Sequence, residues 1–221
     1  MDAFFTDAQR ALQQANDSID LANRLLEVTV ASELAEAQAR FVESQSMFFL
    51  ATVDEFGFPS CSYKGGHRGF VRVLNPSTLV FPNFDGNGMF MSLGNIKDRQ
   101  KVGLLFIDFE KPQRLRVRGD AEVVESGSLV DSYPGAQQVV QVTVSNVWVN
   151  CPRYIPKMTF EAASPAIPSI DGDFPLALWK RIDFLQDVLT KRDREQAQIE
   201  GVISIETYES MLADLVSDQG N

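Results

Sequence analysis

A chain of 221 residues with 44% hydrophobic and 23% charged side chains is long enough for one sizeable core and has the composition of a globular protein. Its formal charge of −10 argues against a general nucleic-acid binder, whose affinity comes from neutralising many phosphates. The longest apolar runs, 47–53 and 102–107, are far too short to span a bilayer, so no membrane segment is expected.

The charge is unevenly spread. Residues 1–46 carry three basic and eight acidic side chains and residues 159–221 five and twelve, whereas residues 47–158 carry twelve and ten. A mildly positive centre between acidic flanks fits a small anionic ligand, and it equally fits a patternless solvated surface.

Residues 5–46 contain no proline, and apolar positions recur at Leu12, Ala15, Ile19, Ala22, Leu25 and Leu26. The spacing predicts two helices with a break at Val28-Thr-Val30, the second running from about Ser32 to Gln45. From residue 47 the pattern changes to short apolar runs with period-two alternation. Met47-Phe-Phe-Leu-Ala-Thr-Val53 is followed by the turn Asp54-Glu-Phe-Gly57, then by Pro59-Ser-Cys-Ser-Tyr-Lys-Gly-Gly66. Next come Thr78-Leu-Val-Phe81, the glycine-rich Pro82-Asn-Phe-Asp-Gly-Asn-Gly88 and a short helical insert over 91–101. The run 102–107, the alternating Arg114-Leu-Arg-Val-Arg118 and Val139-Val-Gln-Val-Thr-Val144 supply further strands. Turn residues between these runs predict antiparallel strands closing into a barrel or sandwich. Beyond Met158, residues 163–175 hold three prolines and predict a linker. A helix is expected over 174–194 from the stripe Leu176, Leu178, Trp179, Ile182, Leu185, Val188 and Leu189, and a weaker one over 202–216. The chain is thus mainly β (α+β): a helical extension over 1–46, a barrel over 47–158, and a linker with C-terminal helices over 159–221.

Arg114, Arg116 and Arg118 fall on one face of a strand, with Leu115 and Val117 on the other. Three guanidiniums on one face repel one another unless water, an anion or carboxylates such as Asp108, Glu110, Glu122 or Glu125 compensate. A glycine-rich turn leading into a short helix is how backbone amides and small hydroxyls come to surround a phosphate, although 82–95 is neither a dinucleotide fingerprint nor a P-loop. Phenylalanine is abundant, including Phe48, Phe81, Phe84, Phe90, Phe106 and Phe109, and exceeds what a small barrel interior readily holds, so some of it is expected at an interface. Cys61 alternates with Ser60 and Ser62 and is expected to face the barrel interior. The sole histidine, His67, has no partner for a metal site and no nucleophile turn beside it, so metalloenzyme and hydrolase readings fail. Cys61 and Cys151 follow no metal-ligand spacing, and Met1-Asp-Ala-Phe-Phe-Thr-Asp7 lacks the marks of an export signal. The expectation is a cytoplasmic protein with reduced thiols.

Taken in order, these segments resemble the FMN-binding split barrel of the pyridoxamine 5'-phosphate oxidase-like superfamily over roughly residues 40–158. The resemblance implies an antiparallel split β-barrel with flanking N- and C-terminal helices, FMN as cofactor, oxidoreductase activity on an unnamed substrate, and a homodimer with two flavin sites at its interface. It implies FMN-binding roles for Ser62, Lys64, Asn87, Ser92, Asn95, Arg114, Arg116 and Arg153. The phosphate would lie near Lys64, Asn87 and Ser92, and the ring edge near Arg114, Arg116 and Arg153. Arg153 sits in Asn150-Cys-Pro-Arg-Tyr-Ile155, a motif similar to one in uncharacterised members. No catalytic residue is implied. The family's Ser-Arg-Lys phosphate triplet is replaced here by Met91-Ser-Leu, which speaks against oxidation of pyridoxamine phosphate. A non-enzymatic flavin carrier, a haem-binding split barrel and a deazaflavin in place of FMN stay open as alternatives.

Overall fold

The computed structural model describes residues 4–217. The ends of the first and last predicted segments, 1–3 and 218–221, lie outside the described residues. The extension opens with α1 (Asp7–Ala15), where Thr6 and Gln9 form a reciprocal capping box, followed by α2 (Ile19–Thr29). A further break falls at Asn16-Asp17-Ser18, where Asp17 takes φ 51°, so three helices replace the expected two. Short polar side chains tolerate this left-handed geometry and end helices. The expected break is present: α2 ends at Thr29 and the chain forms a two-residue strand, β1 (Val30–Ala31), before α3 (Glu36–Ser44).

The remaining strands are β2 (Met47–Val53), β3 (Pro59–Gly65), β4 (Arg72–Asn75), β5 (Thr78–Asn83), β6 (Lys101–Asp108), β7 (Gln113–Val124) and β8 (Gln138–Val149). Helix α4 (Met91–Arg99) precedes β6, and α5 (Ser128–Asp131) joins β7 to β8. All pairings are antiparallel, in the order β3-β2-β6-β7-β8-β5-β4, with β1 added to β8. This is an antiparallel split barrel with flanking helices. Pro82 sits within β5 without cost to the ladder on that side, because β4 pairs only as far as Val80.

Alternation along β2, β6 and β7 places Phe48, Leu50, Leu104, Phe106, Leu115 and Val117 inside. Phe48 is fully buried, its ring centroid 4.9 Å from Phe81, 5.1 Å from Phe106 and 5.9 Å from Phe70. Three of the abundant phenylalanines, Phe48, Phe81 and Phe106, are therefore core residues and not interface candidates. Phe90, also singled out in the sequence, is exposed, as are Phe56, Phe58 and Tyr63 among others.

The pairing register of β7 with β8 shifts between Arg118 and Gly119. The backbones come so close there that a Cβ on Gly119 would collide with the Thr143 carbonyl oxygen and sit 2.9 Å from Val142 Cγ1. Backbone cannot yield as a flexible side chain can, so Gly119→Ala should lower stability by about 3 kcal/mol. Urea denaturation checks this, and a loss under about 0.5 kcal/mol would mean the bulge relaxes freely.

The C-terminal region departs from its expected helix over 174–194. Residues 178–181 and 183–185 form short 3-10 turns, and the helix, α6 (Lys191–Glu200), begins only after them. Two local causes act. The Thr190 hydroxyl accepts the Asp193 amide and starts a new helix, and Ile182 is extended to bridge Ile203. The apolar stripe is satisfied by packing instead of periodicity, with Leu176 and Ile182 buried. The last helix, α7 (Ile205–Ser217), falls close to its expected span.

Candidate functional site

Strand β3 lies at one edge of the sheet, and its register opposite β2 sets what each side chain faces. Ser60, Ser62 and Lys64 oppose Thr52, Leu50 and Phe48 and share their inward side. Cys61 and Tyr63 oppose Ala51 and Phe49 on the outer side. Cys61 is exposed, which corrects the expectation that it points inward; the serines alternating with it take that side. Three polar residues on the core-facing side of an edge strand are what a barrel interior would otherwise replace with valine or leucine. They form one wall of a cleft of about 870 Å³.

The floor comes from 82–93. Asn87 closes its own turn, its Oδ1 accepting the Met89 amide at 3.0 Å, and Gly88 supplies φ 74°. Phe90 enters α4 in the left-handed region, with φ 49° and no side-chain cap. The first amides of α4 therefore have no side-chain acceptor from the cap residue. Ser92, buried at the start of this helix, lies 3.0 Å from Ser62 across the cleft, hydroxyl to hydroxyl. Lys64 is half-buried beside them and makes no ion pair or hydrogen bond within the described residues. Burial alone depresses its pKa, with no carboxylate to restore it.

The remaining wall is one that no local sequence pattern indicates. Trp179, Lys180, Leu185, Val188, Leu189, Thr190 and Asp193 bring the C-terminal segment against the glycine-rich loop. The buried Lys180 ammonium lies 2.7 Å from Asp85 Oδ2 and 2.9 Å from Asp193 Oδ2. The Lys180–Asp85 contact joins residues 95 positions apart, beyond the reach of short-range periodicity.

Of the eight residues singled out in the sequence, Ser62, Lys64, Asn87 and Ser92 line this cleft. Asn95 does not, since its Nδ2 donates to the buried Thr52 hydroxyl at 3.0 Å and so fastens α4 to β2. Arg114 and Arg116 lie on the outer face of β7, opposite Ile107 and Leu105. Arg116 is exposed, and the buried Nε of Arg114 has no hydrogen-bond partner among the described residues. Arg118 is occupied, bonding Asn146 at 2.9 Å with its guanidinium 4.3 Å from the Phe4 ring centroid and 5.3 Å from that of Trp148. Arg153 is exposed beyond β8, lying 5.0 Å over the Tyr154 ring and away from the cleft. His67 is exposed and is not among the cleft residues.

An antiparallel split barrel with a polar, glycine-looped cleft at its edge strand defines the class. Residues 34–160, more than half of the chain, match the family model described as pyridoxamine 5'-phosphate oxidase, and the chain belongs to that family. Among solved structures it is similar to one from Lactobacillus delbrueckii, provisionally described as a pyridoxamine 5'-phosphate oxidase. That match has 29% identity and a TM-score of 0.44, and covers 53% of this chain and 95% of that one. It is also similar to an FMN-binding protein from Syntrophomonas wolfei, at 14% identity, TM-score 0.41, and 64% and 97% coverage. A third is HutZ, the haem storage protein of Vibrio cholerae, at 18% identity, TM-score 0.37, and 49% and 89% coverage. No curated protein matches the chain. Among the described residues no helix is long and apolar enough to cross a membrane.

Proposed function

We propose that the cleft binds FMN and that the protein is an FMN-dependent oxidoreductase working as a homodimer. The observation that carries this reading is Lys64: a half-buried ammonium without a counter-charge, set beside the Ser62–Ser92 hydroxyl pair and the 86–88 turn. A buried charge left unpaired in the free protein is costly unless a ligand supplies its partner. A phosphate does so, with Lys64 donating a charge-assisted hydrogen bond, Ser62, Ser92 and Asn87 donating neutral ones, and the first amides of α4 facing negative charge. Bound FMN would supply two-electron redox chemistry, and the protein's part is to hold it and exclude water.

The homodimer explains the residues the cleft leaves out. Tyr63, Phe49, Leu105, Arg116 and Trp148 run side by side across the outer face of five strands, and Tyr63 is 62% exposed. Beyond β8, Tyr154, Met158 and Phe160 are exposed as well. A second copy would cover this apolar face, and Arg114, Arg116 and Arg153 would then reach the partner's flavin. The free, exposed thiols of Cys61 and Cys151 fit a reducing compartment, and we place the protein in the cytoplasm on that basis.

A carrier without catalysis is the second reading. One feature favours it: Asp85 and Asp193, the carboxylates lining the cleft, are both held by Lys180, which leaves no unpaired acid facing the ligand. The absorption spectrum of the protein, titrated with FMN, tests the cofactor; flavin bands and one FMN per chain are expected. A colourless protein that takes up no FMN refutes it, and a Soret band would replace it with haem. Sedimentation at micromolar concentration should give a dimer, whereas a monomer still holding flavin would remove the two-chain site. Reduction by a nicotinamide followed by turnover with acceptors distinguishes enzyme from carrier.

A further inference from the structure

Resting on that reading of the cleft, we propose that Lys180 is a positioning residue that locks the C-terminal segment 176–193 onto the glycine-rich loop and so holds the anion site in its binding shape. Its side chain is 3% exposed and those of its two carboxylate partners are 21% and 14% exposed, so the trio is largely shielded from water. Asp85 is gripped twice: Oδ2 by Lys180 at 2.7 Å and Oδ1 by Gln137 Nε2 at 3.3 Å. Asp85 stands two positions before Asn87, so these bonds fix the approach to the turn at the cleft floor. On the other side Asp193 ties the first turn of α6 to the same ammonium. The adjacent Trp179, whose ring centroid lies 5.7 Å from Lys180 Nζ, forms part of the cleft wall.

The electrostatics give the lock its consequence. Lys180 with Asp85 and Asp193 carries one excess negative charge. Without the lysine, two carboxylates are left facing each other at the edge of a site that is to hold a phosphate. Both the repulsion within the pair and its field on the ligand then oppose binding. Arrival of the C-terminal segment is thus coupled to formation of the anion site.

The test compares wild type with Lys180→Met, Lys180→Arg and Lys191→Met, the last removing an exposed lysine from the same segment. Lys180→Met should weaken FMN binding about tenfold or more, Lys180→Arg should recover most of that loss, and Lys191→Met should bind as wild type does. Hydrogen exchange on the flavin-free protein reads the lock directly. Amides over 83–90 and 176–193 should exchange faster together in Lys180→Met and be protected again in Lys180→Arg. Unchanged protection of the loop, or unchanged FMN affinity with the segment released, overturns the proposal. Should Lys180→Met not fold, wild type alone decides: the two segments must open at one common rate, and separate rates overturn the lock. A wild type that binds no FMN would defeat the cofactor reading, while exchange still judges the lock.

Discussion

Lys64→Glu should reduce FMN affinity by about a hundredfold or more, enough for the flavin to be lost on gel filtration. Removing a charge-assisted hydrogen bond to phosphate costs roughly 1.5–3 kcal/mol, and placing a carboxylate at the same half-buried position adds repulsion of similar size. Each 1.4 kcal/mol is tenfold in affinity, so the two contributions together pass two orders of magnitude. Nothing else in the cleft can substitute, because Lys180 is committed to Asp85 and Asp193. The pH dependence follows from the same residue. Burial lowers the Lys64 pKa in the free protein, and a bound phosphate would raise it again. Binding then takes up a proton, and affinity should fall as pH rises through the depressed free-state pKa, levelling off once the bound form also loses its proton. The folding sign is opposite to that of a paired lysine: the buried charge lowers stability below that pKa, and the penalty fades as pH climbs through it. FMN titration of Lys64→Glu and of wild type between neutral and alkaline pH checks both statements. Wild-type affinity in the variant, or a flat pH profile, would take Lys64 out of the site.

Phe48→Ala should destabilise the core severely, by about 4 kcal/mol. Its ring is fully buried and touches three other rings contributed by β5, β6 and the segment after β3, so no single neighbour can move in to fill the space. The loss combines burial of an aromatic side chain with the cavity left behind and the lost ring–ring geometry. For a chain of this length it corresponds to a fall in Tm of roughly 10 °C. Phe48 also pairs with Lys64 across the β2–β3 ladder, so the cavity opens directly beneath the proposed phosphate site. FMN affinity should drop along with stability, whereas Phe56→Ala, at an exposed turn position, should leave both near wild type. Thermal melts with and without FMN separate these outcomes. A shift under about 2 °C in Phe48→Ala would show that the core repacks around the loss.

Legibility in the sequence followed the range of the interaction. Ser62 and Lys64 came from the resemblance and not from alternation, which was read with Cys61 inward; the structure turns Ser60, Ser62 and Lys64 to the cleft instead. Asn87 and Ser92 were readable because a glycine turn and a helix start are local events. Arg114 and Arg116 were correctly placed on one strand face, yet that face is the outer one, since side-chain alternation gives a pattern without saying which side meets the core. Cys61 was misplaced for the same reason. The helix expected over 174–194 failed because Ile182 is drawn out to Ile203 and the Thr190 cap starts a separate helix.

What the sequence determined by itself was therefore six of the eight strands, the turn chemistry and the identity of the short-range polar groups, all governed by period-two alternation and by glycine and proline; the short β1 and β4 escaped it. Tertiary structure alone decided that, among the described residues, Lys64 has no counter-ion and Arg114 Nε no hydrogen-bond partner, and that Lys180, 95 residues beyond Asp85, lines the cleft. The physical reason is that charge pairing and desolvation depend on distance through space, and no spacing along the chain records that distance.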